Sequence, residues 1–444
     1  MTKKKVDDVF FQLFCEKNSD GTKHLRLRGK ELYQRFGYRL NPEDMPELSN
    51  FLKSHPEVTS VDLAYNDLGN FGMEILAKEY FVQENNMKYL NLLHCDLNAE
   101  GMKHLSEAAC LRLEGIRLVG NKLGNEGARY IGKLIENCPT LEILDIGETD
   151  QTLESIECLL IVVEKSTLKS INISRIIPLS FYSGSNNSIL ADDLAVLLKL
   201  NSTLEVLEVE KCQFDGHDVE LLLGGLKWHP SLSMLNLSAN RIGDHGTILL
   251  SQWLKTRPPL IALNISANAV GTRGAQALAL TLPFSRIRLL DLHDNKIGDQ
   301  GISEIIDSLK KPCQMRMFFI WGNVLESRSL YKLDRAVKAG VLQQDLIDVK
   351  VYITSDGPQM AYYPTNHYKH RFYSVMDHGY PPELKIVRNK VVGPDSQPRA
   401  LVQLDFIDRY PPVDAKLGLK CEHASSSEQP VVEDKRNNKS TQNN

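Results

Sequence analysis

Three consecutive stretches decide the fold: SLSMLNLSANRIGDHG at 231–246, PLIALNISANAVGTRG at 259–274 and SRIRLLDLHDNKIGDQG at 285–301. Asn240, Asn268 and Asn295 recur at spacings of 28 and 27 residues, each inside the pattern L-x-x-L-x-L-x-x-N-x-I/V-G-x-x-G. Many positions agree at once, so the repeat is not an accident of composition. Within 232–246, Leu232, Leu235 and Leu237 have the spacing of a short strand whose alternate side chains enter a core. Asn240 falls where the chain must turn, and a buried Asn can satisfy backbone groups of its own turn and of its neighbour. Ile242 closes the core. Gly243 and Gly246 permit a tight start to a helix over Thr247–Lys255, whose Ile248, Leu249 and Leu254 are expected to face the strand. One such unit cannot bury its apolar face alone, but stacked units can, and the result is a quasi-one-dimensional solenoid.

Marking each repeat by its Asn-equivalent position gives Asn66, Cys95, Asn121, Thr149, Ile176, Cys212, Asn240, Asn268, Asn295 and Asn323. Cysteine fits this inward slot as a small polarizable group, whereas Thr149 and Ile176 do not fit it well. The interval after Ile176 carries PLSFYSGSNNSI at 178–189, which reads as a surface loop. Ahead of the first clear repeat, Glu43–Ser54 has the helical spacing of a cap. Residues 1–22 read as an arm with one apolar turn, Phe10 to Phe14, that clasps the first coil. After the last repeat, Arg328–Ala339 reads as a helix and Asp348–Ile353 as a strand. The expected organisation is an arm at 1–22, an N-terminal cap at 23–57, a solenoid at 58–326, a C-terminal cap and Tyr-rich extended arm at 327–414, and a compositionally disordered tail at 415–444.

The units with L-G-N-E-G-A-R, I-G-D-H-G and V-G-T-R-G-A after the Asn position resemble the ribonuclease-inhibitor class of leucine-rich repeats over about residues 58–325. The resemblance implies an α/β leucine-rich-repeat solenoid, a horseshoe with a parallel concave sheet and convex helices, of about ten repeats plus caps. Ran GTPase-activating proteins and the sensor regions of NOD-like receptors share this class. The chain departs from them: no P-loop precedes the repeats, the long acidic tail of the Ran activators is missing, and eight cysteines are far fewer than ribonuclease inhibitor carries. The resemblance implies an intracellular protein of the cytoplasm or the nucleus, nucleolus included, acting through protein contacts.

Composition agrees with that class. The chain has 444 residues, 42% hydrophobic and 24% charged, and its net charge of −4 offers no field for nucleic acid or an anionic membrane. There is no run of about 18 apolar residues, and the start, MTKKKVDDVFFQLF, makes a poor secretory signal. The scattered cysteines read as reduced thiols, and the sequons at Asn172, Asn236 and Asn264 fall inside expected strands. No H-E-x-x-H, spaced Cys/His group or G-x-S-x-G is present, so no catalytic residue, metal ligand, cofactor or small-molecule substrate is assigned.

The residues alternating with the core leucines would line the outer face of the sheet. Small and neutral polar groups dominate them, with neither a basic stripe nor paired carboxylates. The last two rows differ: Leu289, Asp291, His293, Met317, Phe319 and Trp321 place an apolar patch there, to be capped by the chain's own C-terminal segment or used by a partner. Beyond it, Tyr362, Tyr363, Tyr368, Phe372 and Tyr373 suggest an arm that docks Tyr anchors into protein pockets rather than onto nucleic-acid bases. The sequence therefore points to a non-enzymatic protein–protein scaffold. A Ran-type GTPase activator, which orders its GTPase's own catalytic groups, is the second reading, and a structural subunit of an assembly such as the ciliary axoneme is the third.

Overall fold

The computed structural model describes residues 6–17, 21–29, 39–176, 187–309 and 315–363, with the backbone of 385–389 and 401–405. By contacts the chain divides at Phe406/Ile407, and all described residues belong to the first unit.

One twelve-stranded sheet runs through that unit in strict sequence order. Its strands are β1 (Cys15–Lys17), β2 (Lys23–Arg26), β3 (Val58–Asp62), β4 (Tyr89–Asn91), β5 (Gly115–Arg117) and β6 (Ile143–Asp145). They continue as β7 (Ser170–Asn172), β8 (Val206–Glu208), β9 (Met234–Asn236), β10 (Ala262–Asn264), β11 (Leu289–Asp291) and β12 (Met317–Phe319). From β2 onward all pairs are parallel, and only β1 is antiparallel to its neighbour. The register shifts once, between Lys23 and His24 in the β2–β3 pair, and is regular from β3 onward: Leu235 pairs with Leu263 and Leu263 with Leu290. Ten of these strands are the ten marked by the repeat positions. The first two are additional, because the stretch ahead of Val58 lacks the repeat pattern; β2 pairs with β3 through backbone and through His24 Nδ1 against Ser60 Oγ at 2.9 Å.

Among the described residues there are twelve α-helices: α1 (Asp8–Leu13) precedes β1, one lies between each consecutive pair of strands from β2 to β12, and the last follows β12. After α1 come α2 (Met45–Ser54), α3 (Gly69–Glu79), α4 (Ala99–Ser106), α5 (Gly124–Asn137) and α6 (Leu153–Glu164). Then follow α7 (Asn187–Leu200), α8 (Gly216–Leu226), α9 (Gly243–Leu254), α10 (Thr272–Thr281), α11 (Asp299–Ser308) and α12 (Ser327–Lys338). Helix α9 begins four residues before the position read from sequence. Its phase shifts accordingly, so Thr247, Leu250, Ser251 and Leu254 face inward while Ile248 and Leu249 are only half-buried. The interior is one apolar cluster that runs from Val6 and Phe11 through every repeat to Ile347 and Val349. At the N-terminal end Phe11 is fully buried against Phe51, with ring centroids 5.1 Å apart.

The turn after each strand explains why the coils stack at a fixed register. The residue just before each Asn-equivalent position adopts the left-handed conformation: Tyr65, His94, Gly120, Glu148, Arg175, Lys211, Ala239, Ala267, Asp294 and Gly322. For non-glycine residues that conformation costs on the order of 1–2 kcal/mol. It aims each backbone N–H at the next coil. His94 N donates to Val119 O at 2.9 Å, Ala239 N to Ser266 O at 2.8 Å and Ala267 N to His293 O at 2.9 Å. The parallel ladder thus continues past the end of every strand.

The asparagines then satisfy what the turn leaves over. Asn295 Oδ1 accepts from Asn268 N and Val270 N at 2.9 and 3.0 Å, while its Nδ2 donates to Ile265 O and Leu292 O at 3.0 and 2.9 Å. Asn121 does the same for Cys95 N, Leu97 N, Leu92 O and Leu118 O. Asn66, Asn240, Asn268 and Asn323 each bridge to the preceding coil in the same way. At the substituted positions the bridge thins. Cys95 Sγ reaches Leu63 O at 3.1 Å, Thr149 Oγ1 reaches only its own turn at Ile146 O, and Ile176 is fully buried with no polar side-chain atom.

Replacing Asn268 with Ala strands buried turn amides and carbonyls, and urea denaturation should show a loss of roughly 1–3 kcal/mol. A loss within a few tenths of a kcal/mol would mean that the side chain does not hold the turn.

Candidate interaction surface

The sheet face turned away from the helices carries the residues that alternate with the core leucines. Most are buried, and a second hydrogen-bond row explains part of this. The last residue of many strands closes a local turn by accepting from the amide two residues on: Asp62 from Ala64, Asn91 from Leu93, Asn172 from Ser174, Asn236 from Ser238, Asn264 from Ser266 and Asp291 from His293, all at 2.8–3.1 Å. The sequence reading took these side chains as lining available to a partner. They are turn caps first, as Asn and Asp commonly are. The sequon amides of Asn172, Asn236 and Asn264 are among them, and each is buried.

Where that row is interrupted the face is charged. Arg117 Nε lies 2.9 Å from Asp145 Oδ2, and both side chains are nearly inaccessible. Glu208, on β8, is also buried and receives only a long 3.5 Å bond from Asn236 Nδ2. Burial pushes its carboxyl up to about 8, with the charge of Asp145 acting in the same direction. Near the first coil, Arg28 Nε stands 3.6 Å from Asp62 Oδ2, and burial raises the Asp62 carboxyl to about 6 despite that cation. The face is therefore not the neutral one read from sequence. Arg117, Asp145 and Glu208 lie about one and two repeats apart, so no local sequence window displays their proximity.

The C-terminal end of the face is apolar. Leu289, Met317 and Phe319 join Met234, Ile261 and Ala262 in a second cluster, against which Val206 and Leu346 pack. Leu346 comes from the short 3-10 turn Gln344–Leu346 beyond α12, so the chain's own C-terminal segment contributes to covering the patch. Leu289, Asp291, Met317 and Phe319 are buried. The Asp291 carboxylate bonds the His293 imidazole, whose Nε2 lies 3.6 Å from Asp294 Oδ2.

Trp321 is half-buried and meets the Tyr362 ring at 5.4 Å between centroids. Tyr362 lies on a hairpin, β13 (Val349–Thr354) and β14 (Gly357–Tyr362), rather than on an extended arm. The hairpin is tied to the last coil through Asp348. Its carboxylate accepts from Ile320 N at 2.8 Å and Trp321 N at 3.1 Å, and its carbonyl accepts from Tyr363 N at 2.9 Å. Lys350 Nζ sits over the Tyr352 and Tyr363 rings. The structure thus gathers Trp321, Tyr362 and Tyr363 at one end of the solenoid, while Tyr368, Phe372 and Tyr373 lie outside the described residues. The hairpin also exposes Tyr352 and Ile353 on β13 and Met360 on β14, none of which the sequence pattern marks as a contact residue.

Burial pushes the thiol of Cys212 up to about 12 and that of half-buried Cys15 to about 11, and also raises that of Cys95, so thiolate chemistry is not favoured at these three. Among the described residues none of the cysteines is in a disulfide. No described helix is long and apolar enough to cross a membrane.

With this geometry in view, the comparisons with known proteins agree with the fold. Residues 83–106, 258–279 and 287–305 match the Leucine Rich repeat family model. Ribonuclease inhibitor of Sus scrofa is 32% identical over 94 residues, 21% of this chain and 21% of that protein. Ribonuclease inhibitor of Mus musculus is 32% identical over 123 residues, 27% of each chain. The chain therefore spans about a quarter or less of the length of these curated relatives. Two solved structures are more distant. A complex of TLR13 with ssRNA13 is 16% identical with a TM-score of 0.35, covering 67% of this chain and 35% of that one. The yeast Rad7–Elc1 complex is 16% identical with a TM-score of 0.37, covering 65% and 81%. The chain is thus similar to leucine-rich-repeat proteins in three segments and to ribonuclease inhibitor over part of its length.

Glu208 yields a pH test. Its folded value of about 8 exceeds the ordinary 4.5, so the native chain holds a proton that the unfolded chain releases. That contribution is complete below about pH 4.5 and is lost as pH rises to about 8. Thermal melts of Glu208→Gln should match wild type near the acid end and exceed it increasingly toward the alkaline end. A difference that does not vary with pH would refute the assignment.

Proposed function

We propose that this chain is a non-enzymatic scaffold that binds protein partners at the C-terminal end of its repeat array. The observation that carries this is the hairpin. Tyr352, Ile353, Met360 and Tyr362 are between 37% and 48% exposed on a two-stranded element that the Asp348 bonds hold against the last coil. Rigid aromatic and Met side chains beside a charged rim have the composition of interface anchors. The half-buried His293 and Trp321 belong to that rim, and the buried Asp291 holds the His293 imidazole there. The buried Leu289, Met317 and Phe319 act beneath it as the packed base of the surface, and Tyr363 and the residues of the Tyr-rich segment extend the contact. The chemistry fits a protein ligand with its own apolar anchor rather than nucleic acid, a small molecule or a membrane. Ribonuclease inhibitor, by its name a protein that acts on another protein, supports the reading in kind.

The GTPase-activator and axonemal readings have no specific observation in their favour, and the scaffold reading predicts no acceleration of GTP hydrolysis by Ran. Proximity labelling from wild-type chain and from Met360→Asp/Tyr362→Asp identifies partners and tests the surface together. The leading partner should fall about tenfold in recovery, equivalent to about 1.4 kcal/mol, with the melting temperature little changed. Unchanged recovery in the double variant would move the contact elsewhere on the solenoid.

A further inference from the structure

Repeat stacking brings together residues one period apart, and on the helix side of the solenoid it does so with metal-binding side chains. His217 and His245 stand 28 residues apart, at equivalent positions in consecutive repeats. His217 is at the start of α8 and His245 at the start of α9. Their rings lie 5.2 Å apart between centroids. Glu220 is three residues after His217, hence on the same face of α8, and its Oε2 is 3.8 Å from His217 Nδ1. One ligand atom from each of the three lies within 4.8 Å of the others, and all three side chains are exposed.

Close backbone packing is what permits this. Gly216 has no Cβ, and one placed there would come within 2.8 Å of His245 Cδ2 and 3.1 Å of Gly246 N. The imidazole of one repeat can therefore lie against the first turn of the helix before it. The positive end of a helix disfavours a cation, but Asp215 caps α8 with its own carboxylate and Asp244 sits in the first turn of α9.

We propose that His217, Glu220 and His245 form a binding site for a first-row divalent cation of the zinc type. Two imidazoles and one carboxylate suit zinc rather than calcium or magnesium, which take oxygen ligands. Tetrahedral zinc bonds of about 2.0–2.2 Å require ligand atoms about 3.3 Å apart, and the three exposed side chains reach this by rotamer changes alone. The remaining position stays open to water or to a ligand from another molecule. Bound metal would clamp α8 to α9. A search for local spacings such as H-E-x-x-H misses the group, because its third ligand is supplied by the repeat period.

Calorimetric titration of the full chain with zinc sulfate tests the site, compared with His217→Ala, His245→Ala and Glu220→Gln. Wild type should bind one more zinc ion than the His217→Ala/His245→Ala double variant, and either single His variant should weaken that step by at least about tenfold. Zinc should raise the wild-type melting temperature and leave the double variant's unmoved, while without metal the variants melt alike because the side chains are exposed. Equal zinc binding by wild type and double variant, or no binding by wild type at about 100 μM metal, overturns the assignment.

Discussion

Everything in this structure depends on the turn that ends each strand. A left-handed residue, strained wherever it is not glycine, redirects one amide to the next coil, and an asparagine then pairs the groups left behind. The first device is present at every repeat turn, whereas the second is missing after His94, Glu148, Arg175 and Lys211, where Cys95, Thr149, Ile176 and Cys212 stand. Without the left-handed residue the amide would miss its acceptor in the following repeat, and without the asparagine the buried carbonyl and amides of the preceding turn would lack partners. Because both act between coils, they fix the distance from one repeat to the next as well as the shape of each.

That fixed distance determines what can be brought together. Along the sheet it sets Arg117 against Asp145 and brings Glu208 within reach of their field. On the helix side it sets His217 against His245. At the C-terminal end the ladder has no further repeat to pair with, and Asp348 takes over by accepting the amides of Ile320 and Trp321 with its side chain. Ile320 N is the group that the next repeat would have used, as Phe319 O uses Leu292 N, so the hairpin is attached in part through the sheet's own ladder.

The repeat itself was open to a reader of the sequence, because leucine spacing, Asn240, Asn268 and Asn295 report a buried geometry that tolerates few alternatives. The strands beginning at Val58 and the helices near 45–54 and 327–338 follow from it. Less was visible where function depends on pairs. Strand-end Asp62, Asn236 and Asn264 look like free lining until the turn amides they accept are seen. Charges on different repeats do not announce their proximity, and the phase of α9 moved because Gly243 starts the helix early. Strand β2 was hidden for a different reason: it joins the sheet by backbone pairing with β3 and carries no repeat signature. The hairpin return strand, Gly357–Tyr362, was likewise obscured by Gly and Pro at its start.

Amide hydrogen exchange on the full chain tests the central claim most directly. If asparagine side chains hold the turns, the amides of Cys95, Phe214, Ile242, Asn268, Val270 and Ile297 exchange as slowly as those of the neighbouring strands, because each can open only when two coils part. Exchange of these amides at the rate of exposed loops, with the strands still protected, would show that the coils are held together by their apolar interior alone.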